Sequence, residues 1–245
     1  MIALIHGLGL CREVFAGMVP DLSDYRVLSY DLYGHGASAP PPDTATLTVY
    51  SDQFAGLMDH LGIAKAHIVG FSIGGMINRR FALDHGEKAA SLAILNSPHD
   101  RGAEAQAMVE ARAKTVRDQG AMATMDSALK RWFTPGFLAD PSSQGAALVK
   151  TWRSRVDAES YAQAAWVLAN GVVELTGRDG EITAPTLVLT CENDSGSTPR
   201  MSHDIAAEIP QSQTHIVPDL QHLGLMERPR AFSLPLLTFL KGLPK

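Results

Sequence analysis

The eleven residues Ala66 to Met76, AHIVGFSIGGM, constrain this chain more than any other stretch. His67-Ile68-Val69 reads as a buried strand, and Met76 to Ala82 has the spacing of a helix. Between them lies Gly70-Phe71-Ser72-Ile73-Gly74, followed by Gly75. A serine at the tip of so sharp a strand-to-helix turn takes a strained backbone. A Cβ two residues to either side would strike the neighbouring element, which the glycines avoid. The turn aims the Ile73 N–H, together with the positive end of the helix dipole, at a point where negative charge would develop on an attacked carbonyl. Ser72 is therefore a candidate nucleophile, provided that a base can take its proton.

The rest of the chain supplies a setting. Ile2 to Ile5 is an all-apolar run, as expected of a parallel strand covered on both faces, and it ends in His6-Gly7-Leu8-Gly9. The Leu8 N–H is a candidate second oxyanion donor. Tyr25 to Asp31 is a further strand, with a loop through Ser38. Thr48 to Leu61 is a helix, and Ala89 to Leu95 a strand. Alternating strands and helices predict an α/β fold with a mostly parallel, doubly wound sheet. From Ser97 to Thr183 the texture becomes alanine-rich and helical. Helices are expected over Ala103 to Asp118, Met122 to Phe133, Ser143 to Arg153 and Ala158 to Val173, broken at Thr134-Pro135-Gly136 and Asp140-Pro141. We read residues 97–183 as a helical cap inserted into a core formed by 1–96 and 184–245. The sheet resumes at Pro185 to Thr190, a helix spans Ser202 to Ile209, Thr214 to Val217 is the last strand, and a terminal helix from Pro229 to Leu240 is expected along the sheet edge.

A serine hydroxyl needs a base matched to neutral pH, and an imidazole so used needs a carboxylate to fix its tautomer. Among nine histidines, only His6 and His222 follow strands closely on the expected edge, and His6 belongs to the glycine loop. His222 is the candidate base. Asp194, in the loop after Thr190, is the leading acid, with Asp100 and Asp219 as rivals. His35 and His60 read as surface or hydrogen-bonding residues. Arg131 and Trp132 are candidates for substrate binding, a guanidinium suiting a carboxylate; the alternative is a surface arginine beside a core tryptophan. Met108, Met122, Met125 and Trp166 suit either a pocket wall or, by preference, packing between cap helices.

A net charge of −5 and the absence of a basic run exclude the usual nucleic-acid or acidic-membrane partner. No apolar run is long enough to span a membrane and Met1 to Ile5 has no signal-peptide layout, so a cytoplasmic protein is expected. Cys11 and Cys191 read as buried apolar residues rather than a disulfide framework. No metal site is expected, since no His-x-x-x-His or carboxylate cluster occurs.

The segments HGLG, DLYGHGAS, GFSIGG, ENDSGSTP and LQHLGLMERP fall in the order of the α/β-hydrolase superfamily, which this chain resembles. Within it, Ala128 to Phe137 is similar to the cap of 3-oxoadipate enol-lactonases and their esterase relatives. Tyr33 stands where an arginine is common, Gln221 where a glycine is common, and the chain starts at the HG strand, so the usual N-terminal hairpin strands are expected to be absent. The resemblance implies the order Ser72, Asp194, His222 for a catalytic triad. It also implies a small ester or lactone substrate, no cofactor, and a monomer or homodimer. Two other functions stay open on the same residues: carbon–carbon bond hydrolysis of a dienoic diketone, and a ligand receptor on a hydrolase scaffold.

Overall fold

The computed structural model describes residues 1–243; the last two residues of the segment 184–245, Pro244 and Lys245, lie outside them. Six strands form one sheet: β1 (Ile2–Ile5), β2 (Val27–Tyr30), β3 (Ala66–Phe71), β4 (Ala89–Leu95), β5 (Thr186–Cys191) and β6 (Ser212–Val217). Their order is β2-β1-β3-β4-β5-β6, and every neighbouring pair is parallel. The inner strands β1, β3, β4 and β5 are short, largely apolar runs because both faces are covered, whereas the edge strands β2 and β6 are only partly buried and β6 carries polar side chains. Ile2 and Leu4 point into one apolar cluster while Ala3 and Ile5 point into the other. From β1 the chain runs out to β2 at one edge and then returns to β3 on the far side of β1. The loops leaving β1 and β3 therefore diverge, which opens a crevice at their carboxyl ends.

Helices α1 (Leu47–His60) and α2 (Ile73–Asp84) cover one face through Phe54, Met58, Ile77 and Phe81. Between β4 and β5 come α3 (Ala103–Gln119), α4 (Met125–Trp132), α5 (Pro135–Ala139), α6 (Gly145–Ser154) and α7 (Ala158–Asn170). After β5 follow α8 (Pro199–Glu208), α9 (Gly224–Glu227) and α10 (Arg230–Lys241). Phe232 and Leu236 of α10 pack with Leu187, Leu189 and Val217, so this helix covers the face over β5 and β6 rather than lying along the edge.

The expected helix Met122 to Phe133 is split. Gly120, at φ +88°, ends α3, and Ala121–Thr124 form one tight 3-10 turn before α4 begins. Where a break was expected, Thr134 caps α5, its hydroxyl accepting from the Phe137 N–H at 3.3 Å with Pro135 at the first helical position. Likewise α8 starts earlier than expected, capped by Thr198 with Pro199 after it.

The inserted helices are tied down unequally. Met125, Leu129, Phe133, Val149 and Trp152 belong to the same apolar cluster as Leu4, Phe71 and Leu95. Helix α3 rests on α7 through a separate cluster of Ala113, Val116, Ala165 and Ala169. Cys11 and Cys191 are buried free thiols, and burial pushes the first up to about 11 and the second up to about 12. No helix among the described residues is long and apolar enough to cross a membrane.

Candidate active site

Ser72 sits between β3 and α2 with φ 58° and ψ −117°. A non-glycine residue in that region stores roughly 1–3 kcal/mol, which the surrounding contacts must hold. The Ser72 N–H donates to the Leu95 carbonyl at 2.8 Å, and its own carbonyl accepts from the Gly75 N–H at 2.9 Å. The glycines leave no alternative. A Cβ on Gly70 would overlap the Gly74 carbonyl, one on Gly74 would overlap the Ile5 carbonyl, and one on Gly75 would lie 2.6 Å from the Ser97 Cβ. The close packing of α2 against β1 thus fixes the serine at the crevice between β1 and β3.

Asp194 follows β5 and His222 follows β6. His222 Nδ1 lies 2.6 Å from Asp194 Oδ2. The same oxygen accepts from Asn96 Nδ2 at 2.9 Å, and Oδ1 accepts the N–H groups of Gly196 and Ser197 at 2.9 and 3.0 Å. Four donors surround a fully buried carboxylate, which is what holding a charge in that position requires. The rivals are elsewhere: Asp100 and Asp219 are exposed, and Asp100 accepts the N–H of Gly102 in its own turn. Asn96, at φ 46° just past β4, is a site residue that sequence reasoning missed. Its only signal was a position after a strand on the same edge of the sheet.

The glycine loop after β1 is held by two histidines. His6 Nε2 accepts from the Leu32 N–H at 2.9 Å, so Nδ1 carries the proton it shares with the Gly7 carbonyl at 2.8 Å. His35 Nε2 accepts from the Gly9 N–H at 3.0 Å, with Nδ1 facing the Tyr33 carbonyl. Both rings must be neutral to accept. Burial, reinforced by the neighbouring His35, brings His6 down to about 3; burial lowers His35 as well. Of the two readings, His35 takes the hydrogen-bonding one, as a buried strut, and His60 the surface one. Leu8 lies on the wall of the crevice, and Ile73 opens α2 with its side chain in the core. Neither the Leu8 N–H nor the Ile73 N–H has a hydrogen-bond partner among the described residues.

A cavity of about 470 Å³ opens beneath the inserted helices, and Ser72, Asp194, His222 and Leu8 all line it. The ring of Phe71 lies 5.1 Å from that of His222, and Trp132 lies 6.0 Å from it on the helical side. Arg131 and Trp132 both line the cavity, so the surface-arginine alternative does not apply. Met108 also lines it, Met125 is in the core, and Met122 and Trp166 are exposed; packing between cap helices accounts for Met125 alone. The tail of α4 is pinned to the His222 loop. The Leu223 N–H donates to the Trp132 carbonyl at 2.8 Å, while the N–H and hydroxyl of Thr134 donate to Glu227 at 2.8 and 2.6 Å. Three further arginines, Arg101, Arg112 and Arg153, complete the wall, and none was anticipated.

Known proteins share this architecture. The chain is 31% identical to 3-oxoadipate enol-lactonase 2 of Acinetobacter baylyi over 85% of its length and 76% of that protein's. It is 26% identical to (E)-2-((N-methylformamido)methylene)succinate hydrolase of the same organism, over 99% and 91%. The crystal structure of the enol-lactonase from Burkholderia xenovorans LB400 superposes with a TM-score of 0.89 at 29% identity, over 98% of this chain and 90% of that one. Residues 1–229 match the α/β hydrolase fold family, and the chain belongs to it.

Proposed function

We propose that this hydrolase cleaves a small carboxylic ester or lactone through an acyl-enzyme formed on Ser72. The observation that carries the reading is the shared cavity. Ser72 and His222 line it together, while Asp194 takes the Nδ1 side of the imidazole and leaves Nε2 without a partner among the described residues. The names of the relatives support hydrolysis, and that of the enol-lactonase supports a lactone in particular.

In the proposed reaction His222 Nε2 takes the Ser72 hydroxyl proton as Oγ bonds to the carbonyl carbon. The carbonyl π electrons move to its oxygen, and that oxyanion accepts from the Leu8 and Ile73 N–H groups, which have no competing acceptor among the described residues. Collapse expels the alkoxide, which takes the proton from His222. Water then enters, gives one proton to His222, attacks the acyl carbon and releases the acid as the proton returns to Ser72. Asp194, fully ligated by four donors, holds the imidazole tautomer and the positive charge it acquires. Arg131 and Trp132 would hold the substrate, the guanidinium by an anionic group and the indole by apolar contact.

The test is turnover of a 4-nitrophenyl acyl ester. Ser72→Ala is expected to abolish it while circular dichroism and thermal midpoint stay close to wild type. Retained turnover in that variant refutes the assignment.

A further inference from the structure

The cavity wall carries four guanidinium groups, on Arg101, Arg112, Arg131 and Arg153, and one carboxylate, on Asp194. That carboxylate is already saturated by Asn96, His222 and two backbone N–H groups. Among the described residues, none of the four arginines is ion-paired to a protein carboxylate.

The four fall into two kinds. Arg101 is spent on structure, donating to the carbonyls of Leu168 and Ala169 at 2.8 and 3.3 Å. Arg153 donates to the Thr124 hydroxyl at 2.6 Å and lies over the Tyr161 ring at 4.6 Å, though its buried Nε has no partner among the described residues. Arg112 and Arg131 donate to nothing among the described residues. Arg112 nevertheless stands on the cavity face of α3, in line with Ala105, Met108, Val109 and Val116, and Arg131 stands on α4 beside Trp132. Burial and the proximity of Arg131 both lower the pKa of Arg112, and burial lowers that of Arg131. Two half-buried positive groups that face one cavity, repel each other and have no protein acceptor among the described residues leave their N–H forks free for an anion that enters it.

A single carboxylate is satisfied by one planar guanidinium fork. Two free forks, on different helices, have room for two. We propose that the substrate brings two negative charges in oxyanion groups besides its scissile carbonyl, one for Arg112 and one for Arg131. This rests on the reading of the cavity as the ester or lactone site. It goes further in naming a doubly anionic substrate and in making Arg112 a specificity residue equal to Arg131. The charge can come from two carboxylates or from one phosphonate-like group spanning both forks.

Binding can be measured without turnover by titration calorimetry on the Ser72→Ala protein, with butyrate, glutarate, tricarballylate and 4-phosphonobutyrate as probes. Each further negative group that meets a free guanidinium is expected to tighten binding about tenfold, as a charge-assisted hydrogen bond does. Tricarballylate, which mimics a hydrolysed product with both anchors, then binds more tightly than glutarate, and glutarate more tightly than butyrate. If 4-phosphonobutyrate is the tightest, the two forks share one doubly charged group; if tricarballylate is, they hold two carboxylates. Arg112→Met and Arg131→Met each remove one step of the series, and Arg112→Lys restores part of it. Equal affinity for glutarate, tricarballylate and 4-phosphonobutyrate in the otherwise unaltered cavity overturns the proposal. So does a series left intact by Arg112→Met. Neither result touches the assignment of Ser72, which fails only if the serine variant still turns over ester.

Discussion

Asn96 shows how much of a site can hang on a neutral side chain. Its Nδ2 is 2.9 Å from an Asp194 oxygen that also faces His222. The substitution Asn96→Asp puts a second carboxylate at that distance, and two carboxylates so close keep one proton between them to a higher pH. The added negative charge also favours the protonated form of the imidazole that must act as base. The acid limb of kcat/KM is expected to move up by a pH unit or more, with activity falling at neutral pH. Profiles of wild type and variant that superimpose between pH 4 and 9 would show that Asn96 has no hold on the acid. From sequence, Asp194 and Asp100 are both carboxylates shortly past a strand, and Asp219 one shortly before His222. Burial, the contact with His222 and the donors around Asp194 settle the choice, and all three are properties of the folded loops.

At the scale of elements, the β1 loop depends on two imidazoles that stay neutral. In the folded protein His6 is held down at about 3 by burial, against an ordinary value near 6.5. Between those values the unfolded chain binds a proton that the folded chain refuses, so stability falls as pH drops below about 6.5 and stops falling below about 3. His6→Gln removes this one titration. The stability advantage of wild type over the variant is expected to shrink by about 2 kcal/mol between pH 7 and pH 5, measured by urea unfolding at each pH. A constant difference would mean that His6 takes up a proton in the folded protein as readily as in the unfolded chain. The strands around this loop were legible because a strand covered on both faces must be a short apolar run. The inserted helices were legible as helices, though their ends were not. Gly120 at positive φ and the threonine caps at 134 and 198 act within one turn, a scale on which spacing of apolar residues carries no information.

The whole molecule is acidic, at −5, yet its cavity wall is basic. Arg101, Arg112, Arg131 and Arg153 lie on separate turns or helices and form no run, so neither total charge nor any motif could announce them; only the fold collects them. A basic, low-dielectric recess in an acidic surface focuses its field on whatever enters and repels little that stays outside. An anionic ester is therefore drawn in by a field that salt screens over about 10 Å at 0.1 M, while a neutral ester of the same size is indifferent to it. Raising ionic strength from about 0.02 to about 0.5 M takes the screening length from tens of ångströms to a few. It should lower kcat/KM several-fold for a carboxylated 4-nitrophenyl ester and leave that for 4-nitrophenyl butyrate nearly unchanged. Arg112→Met, by removing one of the two unpaired charges, is expected to flatten the first dependence without creating one in the second. Equal salt slopes for the two esters would place the substrate's charge outside the reach of these arginines.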